Sequence, residues 1–199
     1  TSRAVVNDCA IYKDVAELED GTKVSATLTL TGLSDPNLTV SLGGGSGYEI
    51  LLNGFNQPSL AGATASFELA FFIPDPSDPL TGQTTALNSV ATFNDIDEAT
   101  SQTQEAVTLE KSSFASFSTS SVTFLNVTET STTVTARGTE QNSPTDTDAW
   151  FSAAFENREF IEFSLETRAE NSGFTLSGDV IPTEDVIEVI SGNDSIEGG

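Results

Sequence analysis

The most regular stretch of the chain is Val24–Leu33 (VSATLTLTGL). Val24, Ala26, Leu28 and Leu30 fall on one side of an extended backbone, and Ser25, Thr27 and Thr29 fall on the other. A period of two is what a half-buried β-strand requires. The same reasoning predicts strands over Leu38–Leu42, Tyr48–Leu52, Ala65–Ile73, Ser89–Phe93, Ala106–Leu109 and Phe114–Phe117. Further strands are expected over Ser121–Val127, Thr132–Arg137, Ala149–Phe155, Phe160–Leu165, Phe174–Leu176 and Asp179–Ile181. Between them lie Ser/Thr/Asn/Asp turns, a glycine run at 43–47, and Pro74-Asp75-Pro76-Ser77-Asp78-Pro79. Those three prolines are expected to forbid helix and interrupt any sheet ladder. Short strands at a spacing of roughly 8–12 residues, with no amphipathic helix, predict an all-β fold. The expected architecture is a two-sheet antiparallel β-sandwich, jelly-roll-like, occupying residues 1–181. Residues 182–191 read as a linker, either one helical turn after Thr183 or an extended piece rich in β-branched residues.

Composition narrows the function. Of 199 residues, 7 are Lys or Arg and 30 are Asp or Glu, for a net charge of −23. Such a surface repels phosphate backbones and anionic lipid, which argues against nucleic-acid partners and electrostatic membrane docking. No apolar run approaches the roughly 20 residues of a membrane helix, so no membrane insertion is expected. The chain has no His, which removes Ser-His-Asp and Cys-His catalysis and every His-ligated metal site. Its single Cys, Cys9, cannot form an internal disulfide. The charge suits salty surroundings outside the cell, where self-repulsion is screened, and the ends of the sequence read as those of a piece of a longer polypeptide.

The tail carries the one motif with a mechanism. Gly192-Asn193-Asp194-Ser195-Ile196-Glu197-Gly198-Gly199 resembles the glycine- and aspartate-rich nonapeptide of RTX (haemolysin-type calcium-binding) proteins, which winds a parallel β-roll around Ca²⁺. Gly192 matches the motif's fourth position, Asp194 its sixth and Ile196 its apolar eighth, and Gly198-Gly199 resembles the opening of a following repeat. The resemblance covers one incomplete repeat, 192–199, because Val189 and Ile190 stand where the first glycine pair would be. It implies Ca²⁺ as cofactor, held by Gly192, Asn193 and Asp194. It further implies a secreted or surface-attached product of a Gram-negative bacterium exported by type I secretion. Upstream, Asp95-Ile96-Asp97 before a strand and Ala149-Trp150-Phe151 in a later one also resemble β-modules of large secreted proteins of marine bacteria, in which a D-x-D stretch precedes a strand and a Trp-containing strand follows.

In the main domain that D-x-D is Asp95-Ile96-Asp97. Residues i and i+2 of an extended chain project to the same side. With Glu105 opening the next strand, Asp95, Asp97 and Glu105 form a candidate Ca²⁺ site of the weak extracellular kind. Asp75 with Asp78, and Asp146 with Asp148, are lesser versions of the same pattern. Trp150 and Tyr48 are the candidate platforms for stacking on a sugar, although a Trp in a sandwich more often fills the core. The expected function is a non-catalytic, calcium-stabilised module serving adhesion or binding of a glycan or cell-surface ligand. A lectin-like carbohydrate-binding module and, behind it, a glycoside hydrolase or lyase using paired carboxylates are the alternatives. A plain spacer is the bland reading.

Overall fold

The computed structural model describes residues 3–43, 49–100, 103–178 and 186–191. These form seventeen strands. The first nine are β1 (Cys9–Glu17), β2 (Lys23–Leu33), β3 (Val40–Ser41), β4 (Glu49–Leu52), β5 (Thr64–Asp75), β6 (Asp78–Thr84), β7 (Leu87–Asn94), β8 (Glu98–Thr100) and β9 (Thr103–Gln104). The remainder are β10 (Ala106–Glu110), β11 (Ser116–Ser120), β12 (Leu125–Glu129), β13 (Thr133–Gly138), β14 (Phe151–Arg158), β15 (Phe160–Glu166), β16 (Ser172–Ser177) and β17 (Val186–Ser191). One sheet runs β1-β2-β5-β15-β10-β13-β12, with β6 added to β5, and the second runs β17-β11-β14-β7-β16-β4-β3. A separate two-stranded piece joins β8 to β9. Every pairing is antiparallel.

The two sheets face each other as a sandwich because the alternating apolar residues of each must leave water. Val24, Ala26, Leu28 and Leu30 of β2 are buried as the pattern requires. Aromatic rings close the gap between sheets. Phe163 of β15 meets Phe93 of β7 edge-on with centroids 5.1 Å apart, and Phe71 of β5 stacks on Phe155 of β14 at 5.5 Å. No helix among the described residues is long and apolar enough to cross a membrane.

Several elements differ from the sequence reading, each for a local reason. β1 carries no clean alternation, since its register with β2 shifts between Tyr12 and Ala16 and Asp14 has φ 55°. β6 is exposed along its whole length, so it offers no apolar pattern to read. The triple-proline segment was expected to break the ladder, but β5 and β6 pair across it, with Pro74 opposite Gly82. The β2–β5 ladder stops at Phe72, so Pro74 faces β6 alone and its missing N–H breaks no bond to a second neighbour. Gly82 is what permits the approach, since a Cβ there would lie 2.0 Å from the Ile73 carbonyl oxygen. Phe114–Phe117 and Ser121–Val127 give way to later starts at Ser116 and Leu125. Ser and Thr hydroxyls hold the turn between β11 and β12: Val122 N–H donates to Ser120 Oγ (3.3 Å) and Leu125 N–H to Thr123 Oγ1 (3.1 Å). Residues 186–191, read as linker, form β17 at the edge of the second sheet beside β11. The expected strand Asp179–Ile181 lies outside the described residues.

Candidate functional site

The connections after β4, β7, β13 and β15 meet at one end of the sandwich, and the charged groups expected to act together lie among them. β7 ends at Asn94, and Asp95 turns the chain with φ 63°, a conformation that Asp tolerates better than most residues. Asp97 is 8% exposed and Glu105 1% exposed. They are tied together twice: Asp97 N–H donates to the Glu105 carboxylate (Oε2) at 3.0 Å, and Glu105 N–H donates to the Asp97 carbonyl at 2.8 Å. Asp97 Oδ1 accepts from Asn142 N–H at 2.7 Å.

The positive charge in this cluster belongs to the protein. Arg168, in the turn between β15 and β16, places Nη1 3.0 Å from Asp97 Oδ2 and Nε 3.4 Å from Glu105 Oε1. Burial pushes the Glu105 carboxyl up to about 8, against the pull of Arg168 and of the Asp97 N–H. Asp95 is pushed up to about 6, first by burial and then by the charge of Asp97. Its Oδ1 is sealed from solvent without a donor.

As a calcium site the trio Asp95, Asp97 and Glu105 fits poorly. Three of the four carboxylate oxygens of Asp97 and Glu105 accept a hydrogen bond, and the fourth, Glu105 Oε1, lies 3.4 Å from Arg168 Nε as an ion pair without a hydrogen bond, whereas Ca²⁺ takes six to eight oxygen ligands. Among the described residues, no three or more His, Cys, Asp or Glu side chains are arranged to hold a metal ion. The lesser pairs are engaged in hydrogen bonds of their own. Asp75 Oδ1 accepts from Ser77 N–H and Oγ (2.7 and 2.6 Å), and Asp78 Oδ1 accepts from Leu80 N–H (3.1 Å). Asp146 Oδ1 accepts from Asp148 N–H (3.2 Å), and Asp148 Oδ1 from Ser120 Oγ (2.5 Å). Gly192, Asn193, Asp194 and Tyr48 lie outside the described residues.

Trp150 sits just before β14 and is half-buried, outside the sandwich core. Its indole N–H donates to the Pro144 carbonyl at 3.0 Å. With its amide turned to suit its neighbours, Asn94 also accepts from that N–H at 3.0 Å. Pro144 is two residues from Asn142, so the loop that anchors Asp97 also fixes the indole. A cavity of about 90 Å³ between the sheets, lined by Tyr12, Leu28, Leu69, Phe71, Ala91 and Leu176 among others, is mostly apolar. It is smaller than the ~150 Å³ cavity known to admit benzene.

No protein-family model and no curated protein matches the sequence. Among solved structures, the N-terminal domain of the Streptococcus gordonii adhesin Sgo0707 is similar over 89% of this chain, with a TM-score of 0.57 and 10% sequence identity. The match covers 49% of that chain, so this chain spans about half its length. The adhesin domain of PrgB from Enterococcus faecalis matches over 86% of this chain and 56% of its own, with a TM-score of 0.42 and 10% identity. At 10% identity the Sgo0707 likeness is one of fold: a two-sheet β-sandwich.

Sequence reasoning missed two residues that organise this end. Arg168 lies 71 positions from Asp97, and its one signal was scarcity, because seven cations among thirty acids are each sought as counter-ions. Asn53, fully buried with φ 55°, is the other. Its Nδ2 donates to the Gln57 carbonyl at 3.1 Å and lies 3.4 Å from the carbonyls of Arg168, Ala169 and Glu170. Asn is among the few residues that adopt that backbone and still offer an amide to several carbonyls.

Proposed function

We propose that this chain is a non-catalytic module of a secreted or surface-attached protein, and that it binds a glycan or cell-surface ligand through the end carrying Trp150. The observation that carries the reading is a half-buried indole held at its N–H, on a loop that is itself tied to a buried ion cluster. A rigid aromatic of that kind contributes contact area at little cost in ordering. The same sandwich fold occurs in the N-terminal domain of an adhesin, which supports adhesion as the wider role. A surface of net charge −23 favours neutral or cationic partners over anionic ones.

The hydrolase alternative loses support from the same geometry. The two carboxylates that come together, Asp97 and Glu105, are buried with a guanidinium beside both, out of reach of a glycosidic bond. Calcium enters the proposal through Gly192, Asn193 and Asp194, on the resemblance of their sequence to an RTX repeat. The test is binding of the labelled chain to a glycan array and to whole cells, with Trp150→Ala alongside. Binding that falls at least tenfold in the variant, with an unchanged melting midpoint, supports the reading. Equal binding by both proteins, or by neither, overturns it.

A further inference from the structure

Carboxylates brought together out of water need a compensating charge, a proton or hydrogen-bond donors. Here the position between the carboxylates is filled from within the chain. Asp97 uses Oδ1 for Asn142 and Oδ2 for Arg168, while Glu105 uses Oε2 for the Asp97 N–H and turns Oε1 to Arg168. A divalent ion entering this cluster would have to expel the guanidinium or sit beside it, and burial magnifies the repulsion. Arg168 is also anchored through its own backbone: its N–H donates to Ser172 Oγ at 3.0 Å, and its carbonyl accepts from Thr167 Oγ1 at 3.0 Å. The turn that carries the guanidinium is therefore held independently of the acids. Gly138 adds closeness: its N–H donates to the Glu105 carbonyl at 3.1 Å, and a Cβ on it would lie 2.6 Å from the Asp97 carbonyl oxygen.

We propose that Arg168 is the resident counter-ion of this end of the sandwich, standing where a calcium ion would otherwise be needed. The loops that carry Trp150 are then ordered without metal, and any calcium dependence of the chain belongs to Gly192, Asn193 and Asp194. The inference rests on the reading of the Trp150 end as the binding end only for its bearing on function; the counter-ion role stands on the contacts themselves.

The experiment uses the full chain carrying Asp194→Asn, so that the tail motif is disabled, and follows the melting midpoint in EDTA and in millimolar CaCl₂. The midpoint is expected to be the same in both. Adding Arg168→Met should lower it by about 5–10 °C, the effect of stranding a buried carboxylate in a chain of this size. Adding Asp97→Asn to that variant should recover more than half of the loss. Where Arg168→Met does not fold, Arg168→Lys keeps the charge and loses the planar fork, and should melt below the parent with no response to calcium. A midpoint of the Asp194→Asn chain that rises by several degrees in calcium overturns the proposal. So does an Arg168→Met or Arg168→Lys variant as stable as its parent. Ligand binding by Trp150→Ala is a separate readout, so failure of the binding reading leaves these midpoints as they are.

Discussion

Two acidic turns in this protein look alike in sequence and behave differently in the fold. Asp95-Ile96-Asp97 follows β7 and Asp75-Pro76-Ser77-Asp78 joins β5 to β6. In the second, the carboxylates stay in water and accept hydrogen bonds from residues two positions on, which holds the Asp75 carboxyl below its usual value. In the first, Ile96 is fully buried and draws its neighbours inward, so that Asp97 loses water and must be compensated. The exposed turn is self-sufficient. The buried one needs Arg168 and Asn142 from distant parts of the chain, and that need joins the connections after β7, β13 and β15.

The comparison can be broken most sharply at Asp97. Asp97→Ala should destabilise the protein by about 3 kcal/mol, because it leaves Arg168 buried beside a partner already pushed toward its neutral form. Urea denaturation checks it, and a loss near zero would place both turns in the same class. A smaller effect is expected from pH. The folded carboxyls of Glu105 and Asp95 titrate near 8 and 6, above the unfolded values of 4.5 and 3.8, so the folded protein holds protons that the unfolded chain releases. Their stabilising contribution is complete below about pH 4 and is lost as pH climbs through 6 and 8. Stability should therefore fall by a few kcal/mol at most between mildly acidic and mildly alkaline solution. Glu105→Gln should flatten the upper part of that decline. The smallest effect is expected at the exposed turn, where Asp75→Asn should leave the urea midpoint where it was at neutral pH.

The fold was largely legible in the sequence where one face of a strand is buried and the other is wet. β2, with Val24 to Leu30 alternating, is the clearest case, and β15 with Ile161, Phe163 and Leu165 buried is another. Strands without that asymmetry were invisible: β1 because a bulge breaks its period, β6 because neither face is buried, and β17 because Val186-Ile187-Glu188-Val189-Ile190 does not alternate. At the candidate site, the D-x-D and Glu105 could be singled out as acids that must share a counter-charge. The identity of that charge could not, because Arg168 reaches the cluster only through the pairing of β15 with β10 and β5. Local spacing carries no information about a contact made by sheet order.

β17 has a direction as well as a place. It runs from Val186, level with Ser120, to Ser191, level with Ser116, which is paired in turn with Ala154. Trp150 stands before the opposite end of β14, so the last strand travels away from the indole. At Ser191 the backbone therefore stands at the end of the second sheet away from Trp150. Anchoring the protein at Ser191 itself would leave the Trp150 loops clear of the support, the geometry in which a captured partner should be sought.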